Sequence, residues 1–409
     1  MLKKIITILL SLILVSLSTV PAIANSNYRQ NDYPIILVHG LTGWGPDELL
    51  GFNYWGGLVS ISNHLNRNGF RTYEAVVGPF SSNRTRAIEL YYFIKGGTVD
   101  YGAAHSAKHG SERFGRTFPG IYQNWNDENK IHLIGHSMGG LTARFLANLI
   151  AEGCQIEMEF FAQNPEVGIS SLLSGNSNGG IHSITTVATP NNGMTAAHDH
   201  AFTDFLSLFL TTIASMSGIS PERIIYDFKL DQYGLSREFG ESFLSYKNRV
   251  FSSSIWQAEH LANFDLSVRG VTQNSENLRT RSDIYYFSHS PQITHRLPLT
   301  NIQTPMLTMN PLFVLPAAFM NRYTNSNSVP VINNSWAASD GLVNTISMPY
   351  PFGHPSIPYN GNPIRGLWNY HPILMGWDHL DIVGIGTIPS FMVNQFYLDI
   401  ATTLSELSR

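Results

Sequence analysis

One cysteine, Cys154, is all that the 409-residue chain carries, so no internal disulfide can form. No cysteine is available for a lipid-modified N-terminus either. Charge is also scarce: 13% of the residues are Asp, Glu, Lys or Arg, against about 25% in ordinary soluble proteins. A net charge of −4 and the lack of any basic run argue against nucleic acid as a partner. No apolar run has the length and flanks of a stop-transfer segment, so no transmembrane anchor is expected. Internal repeats and long low-complexity tracts are missing too, which excludes solenoids and arrays.

What is present begins with a leader. "MLKKIITILLSLILVSLSTVPAIAN" places Lys3 and Lys4 before an apolar run, then small residues at Ala22-Ile23-Ala24. That order is a secretory signal over residues 1–24, with export of residues 25–409 to the exterior, or to the periplasm of a cell with an outer membrane. The exported part is long enough for one large domain with insertions or for two domains. Its 43% apolar content suits a large core, and the low charge suits a surface that approaches something oily.

The sharpest local signal is "KIHLIGHSMGGLTARFLANLI", Lys130 to Ile150. Ile131, Leu133 and Ile134 read as a buried strand, and Leu141, Phe145 and Leu149 recur at helical spacing. Between them Gly135-His136-Ser137-Met138-Gly139 is G-x-S-x-G in its strand–turn–helix context, which marks Ser137 as a nucleophile. A second buried strand in "YPIILVHGLTGWG" ends at His39-Gly40-Leu41. In hydrolases built on a parallel sheet, this loop and the residue after the nucleophile supply the oxyanion N–H groups. Here those are the backbones of Leu41 and Met138.

A serine nucleophile in this setting needs an acid and then a histidine further along the chain. Asp340, in "WAASDGLVNTISM", is the favoured acid, although Ser-Asp-Gly is also a common turn. His379, in "GWDHLDIVG", is the favoured base; His354 and His371 lie in loop-like segments that could host one too. Asp378 adjoins His379 and is poorly placed to orient its ring. "FTDFLSLFLTTIASMSGI" sets Phe202, Phe205, Leu206, Phe209, Leu210, Ile213 and Met216 along one helical stripe, which by itself reads as a core helix. "AAHSAKHGSERFGR" sets His105 and His109 four apart on one helical face, a spacing that metals can bridge. The order H-E-x-x-H is lacking, which excludes a catalytic zinc helix.

Long blocks of the chain resemble one family, the secreted staphylococcal and thermophilic Bacillus-type triacylglycerol lipases. The resemblance runs through "HGLTGWG", "GFNYWGG", "GFRTYEAVVGPFSSN", "GGTVDYGAAH", "YDFKLDQYGL", "FDLSVRG", "SDGLVNTISM" and "DHLDIVG". It implies an α/β class protein with an α/β-hydrolase fold: a mostly parallel central sheet flanked by helices, an insertion near residues 84–118 and a lid helix near 200–218. It places the nucleophile on Ser137, the acid on Asp340, the base on His379 and the oxyanion donors on Leu41 and Met138. The implied substrate is a lipid ester at an oil–water interface. A phospholipase, a general carboxylesterase and a catalytically silent lipid-binding protein are the alternatives.

No cofactor is needed for this chemistry, but the resemblance implies two structural metals. Of the four zinc positions, His105 and Asp265 are kept, while Thr85 and Ser111 replace an aspartate and a histidine. His109 and Glu112 are the nearest substitutes. Of the two calcium carboxylates, Asp381 is kept and Gly386 replaces the other. Losing two of four zinc ligands predicts no tetrahedral site, and a calcium site short of a carboxylate is expected to bind weakly at best.

Overall fold

Runs that are apolar throughout, rather than alternating, mark strands covered on both faces. Seven strands meet in one sheet: Ile35–Val38 (β1), Thr72–Ala75 (β2), Ile131–His136 (β3), Ile181–Val187 (β4), Tyr285–His289 (β5), Ser356–Pro358 (β6) and Trp368–Tyr370 (β7). The computed structural model describes residues 29–216, 226–257, 261–300 and 302–409. The leader expected over residues 1–24 lies outside them. Every residue of β1, β3, β4 and β5 is buried. The strand order is β6-β7-β5-β4-β3-β1-β2, and each neighbouring pair is parallel.

Parallel neighbours require crossovers, which carry helices from β1 through β5, while β6 reaches β7 through a loop. The elements used below are Asn83–Lys95 (α1), Ala103–His109 (α2), Met138–Glu152 (α3), Gln155–Gln163 (α4), Phe202–Met216 (α5), Val314–Met320 (α6) and Ser390–Ser405 (α7). Helix α3 is buried from Met138 through Leu149 and packs along α1, which makes it the central crossover. An antiparallel pair, Gly97–Asp100 with Phe114–Phe118, brackets α2 within the stretch expected to be inserted near 84–118. This is the α/β-hydrolase arrangement that the resemblance implied.

The expected lid segment is helical as far as Met216; residues 217–218 of it lie outside the described residues. Its apolar stripe faces inward. Phe202, Leu206, Phe209, Leu210 and Ile213 are buried, and the helix packs against Phe243–Phe251 and the turn Thr195–His198. The loops after β1, β3, β5 and β7 converge beyond the carboxyl ends of the strands, where open α/β sheets hold their ligands.

Candidate active site

Strand β3 passes into α3 across a single residue. Ser137 adopts φ 54° and ψ −127°, a region that residues with side chains rarely occupy. The turn leaves no space beside it. A Cβ on Gly135 would lie 2.4 Å from the Gly139 carbonyl carbon, and one on Gly139 would lie 2.0 Å from the Val38 oxygen. Glycines therefore flank Ser137 because backbone fills the positions where side chains would go. The Ser137 N–H is held by the Val187 carbonyl at 2.8 Å.

Three residues far apart in sequence meet at this turn. His379 Nε2 lies 3.0 Å from Ser137 Oγ, and His379 Nδ1 lies 2.6 Å from Asp340 Oδ2. A carboxylate beside Nδ1 keeps the proton on that nitrogen, so Nε2 accepts the bond from the serine hydroxyl. The other Asp340 oxygen accepts the N–H groups of Leu342 at 3.0 Å and Val343 at 2.8 Å. The His379 N–H in turn donates to the Asp340 carbonyl at 2.9 Å.

The other histidine candidates lie elsewhere. His354 Nδ1 pairs with Thr280 Oγ1 at 2.6 Å, and His371 stacks on His289 with ring centroids 4.1 Å apart. Asp378 shapes its own loop instead of the imidazole, accepting N–H groups from Leu380, Asp381 and Asn310.

Leu41 and Met138 stand at the two loops expected to donate to an oxyanion. Among the described residues, neither backbone N–H donates to a protein acceptor, so both donors are available. Two side chains that sequence reasoning passed over hold this arrangement. Tyr54 Oη accepts the Gly40 N–H at 2.9 Å and donates to His136 Nδ1 at 2.6 Å. His136 Nε2 then donates to the His379 carbonyl at 3.0 Å, which fixes its tautomer. Arg86, fully buried, donates to the His39 carbonyl, to the Gly78 carbonyl at 2.7 Å and to Thr142 Oγ1 at 2.9 Å. It thereby ties the Leu41 loop to α3. Burial pushes His39 and His136 well below the ordinary histidine value, so both stay neutral in this network.

Ser137 and His379 are each 4% exposed, so both lie almost wholly beneath the surface. A family model described as "Lipase-like, C-terminal domain" matches residues 31–406. The chain belongs to this lipase family. Lipase 1 of Staphylococcus aureus is 38% identical over 368 residues, covering 88% of the chain. The match covers 52% of that relative, so the chain spans about half the length of the curated relatives it matches. Two solved structures are also similar. EstA from Clostridium botulinum has a TM-score of 0.85 at 43% identity, covering 93% of this chain and 89% of that one. Lipase 1 from Pelosinus fermentans has a TM-score of 0.83 at 44% identity, covering 93% of this chain and 100% of that one.

The residues at the family's metal positions are engaged differently. Asp265 Oδ2 accepts the Asn83 N–H at 2.5 Å and its Oδ1 accepts Asn274 Nδ2 at 3.2 Å. Burial pushes this carboxyl up to about 7. Thr85 and Ser111 are buried, and the His105 ring lies tilted against that of His109, centroids 4.6 Å apart. Glu112 turns its backbone N–H to the Gln232 carbonyl. Among the described residues no three His, Cys, Asp or Glu side chains converge as a metal site requires. The donor set does not fit tetrahedral zinc.

Asp381 is also fully used. Its Oδ1 accepts from Thr387 N–H, Thr387 Oγ1 and Ile388 N–H, and its Oδ2 accepts from Asp378 N–H. A Cβ at Gly386 would stand 2.1 Å from Asp381 Oδ1, so no second carboxylate fits beside it in this geometry. These residues do not fit a calcium site of six to eight oxygens.

Proposed function

We propose that the chain is a lipase that hydrolyses ester bonds of triacylglycerols through Ser137, Asp340 and His379. The observation that carries this reading is the Ser137–His379–Asp340 chain of contacts at 3.0 and 2.6 Å, set beside two open backbone donors. His379 takes the serine proton as Oγ attacks the ester carbonyl, and Asp340 stabilises the imidazolium. The Leu41 and Met138 N–H groups receive the developing oxyanion, which is worth several kcal/mol, roughly 3 for a single donor. The alcohol leaves with the proton from His379. Water then attacks the acyl-enzyme by the same route and frees the fatty acid.

In this reading the enzyme is exported and meets its substrate at an oil–water surface. The closed nucleophile is opened by α5, whose buried stripe is presented to lipid when the helix swings away. Neither zinc nor calcium takes part in this reading, because the carboxylates of Asp265 and Asp381 are committed to protein donors.

The test is hydrolysis of a triglyceride emulsion and of a water-soluble ester by wild type and by Ser137→Ala. Release of fatty acid by wild type and its loss by at least 1,000-fold in the variant is the expected outcome. Equal turnover by both would refute the reading.

A further inference from the structure

Beside the triad lies an exposed apolar face that the hydrolytic mechanism does not use. It is built from a hairpin, Thr294–Arg296 with Gln303–Pro305, and from α6. From Leu297 to Asn321 the sequence contains no Asp, Glu, Lys, Arg or His. Leucines stand out from this stretch. Leu299 is 107% exposed, Leu307 106% and Leu315 77%, with Ile302 and Val314 also exposed. Leu299 also holds φ 61°, a conformation that favours Gly or Asn and that a bulky residue adopts at a cost. A leucine placed there and left in water is opposed by both backbone preference and solvation.

The face is fixed to the catalytic residues. The Ile293 N–H donates to the Ser339 carbonyl at 3.0 Å, next to Asp340. The Asn310 N–H donates to Asp378 Oδ2 at 2.9 Å, next to His379. Phe313, which leads into α6, is fully buried and sets its ring edge-on to the His379 imidazole, centroids 6.1 Å apart. The hairpin is braced in turn by the Gln303 N–H donating to Asn321 Oδ1 at 2.9 Å. The turn Thr195–His198 packs against both α5 and α6, so the lid helix and this face share one side of the molecule.

We propose that this hairpin and α6 form a fixed docking face that seats the enzyme on a lipid surface, with Leu299, Leu307 and Leu315 entering the acyl layer. The proposal rests on the lipid-ester reading above and adds the element that makes first contact. Its occupant is lipid because residues 297–321, flanked by the exposed Arg296 and Arg322, can enter a bilayer interface without carrying a charge into it. The same stretch is continuous with the walls of the site where a lipid ester must arrive. Because the face is exposed while Ser137 is closed, docking precedes lid movement. Each leucine removed from water adds favourable burial at the surface.

The experiment uses the mature chain carrying Ser137→Ala, so that hydrolysis does not alter the membrane. Partition onto phosphatidylcholine vesicles doped with triolein is measured by sedimentation, beside the same chain with Leu299→Asn and Leu307→Ser. Asn suits a positive φ, so the hairpin is not strained by the change. Phe391→Ser, which removes an exposed ring from α7, is the control. The double variant is expected to lose at least tenfold in partition with its melting temperature within about 2 °C of the parent, and the control to lose less than twofold. Equal partition of parent and double variant overturns the proposal, as does a parent that does not bind vesicles. A concentration-dependent dimer of the parent, abolished in the double variant without any vesicle binding, also overturns it and makes the face a contact between copies. Vesicle binding does not depend on turnover, so failure of the docking face and failure of the hydrolase reading are separate results.

Discussion

At the scale of single residues, the site depends on groups that never touch an ester. Tyr54 links the oxyanion loop to His136, and His136 links that residue pair to the main chain of His379. Removing its hydroxyl leaves the Gly40 N–H and His136 Nδ1 buried without their partner. Tyr54→Phe is therefore expected to lower kcat on a soluble ester by about 10- to 100-fold, within the range of losing part of an oxyanion hole. KM should stay within about twofold, because ground-state binding does not use the loop. Equal loss in kcat and gain in KM, or a melting temperature too low to leave folded enzyme, would assign Tyr54 a general structural role. The three residues that meet at the turn, Ser137, Asp340 and His379, were legible in the sequence. Ser137 sits in a motif with its strand and helix beside it, and Asp340 and His379 follow in the required order. Tyr54 and Arg86 were not legible. Their partners are main-chain carbonyls, an N–H and the side chains of His136 and Thr142, reached across the fold with no spacing that a sequence displays.

At the scale of elements, the helix carrying His105 and His109 is held without metal-site geometry. The N-terminus of α2 begins at Gly102, which has no side chain to cap it. Glu157 on α4 supplies it instead, accepting the Ala104 and His105 N–H groups at 2.9 Å each. The same carboxylate pairs with Arg84 on α1 at 2.8 Å. Gly102 is glycine because a Cβ there would lie 2.2 Å from the Glu157 carboxyl. One buried anion thus fastens α1, α2 and α4, much as a bridging metal would. Glu157→Gln keeps the shape, removes the charge and sets an amide donor against backbone donors. A loss of about 3 kcal/mol in unfolding free energy is expected, the low end for breaking a buried ion pair. Amide exchange at Ala104 and His105 should rise in the same variant, while full protection there would argue against the clamp. Chelator should leave the melting temperature of the wild type unchanged, and a drop would restore a structural metal. The sequence displayed the two histidines and hid Glu157, which acts from about fifty residues away. The sheet was far more legible, because strands covered on both faces leave apolar runs, unbroken in Ile35–Val38 and interrupted only by His132 in Ile131–Ile134. The hairpin at Leu299 was not, since a short exposed turn has no periodicity.

At the scale of the whole molecule, the buried histidines set how stability responds to acid. His39, His132, His136, His182, His198, His289, His354 and His371 are all pushed below the ordinary value, in each case chiefly by burial. Each stays neutral in the folded chain and takes a proton on unfolding once the pH falls below about 6.5. Their contribution is complete above that value and is lost as the pH falls through the window beneath it. Four carboxyls work in the opposite sense. Burial raises Glu74, Glu89, Asp265 and Asp378, so the folded chain binds their protons more tightly than the unfolded one does. The buried histidines outnumber these carboxyls, so unfolding takes up protons on balance as the pH falls below about 6.5. Stability should therefore fall as the pH is lowered from 7.5 to 5.5, although net charge moves toward zero over part of that range. Urea midpoints at pH 7.5, 6.5 and 5.5 check this directly. A flat or rising series would mean that the carboxyls outweigh the histidines, and that burial of Asp265 and Asp378 dominates the proton balance of the fold.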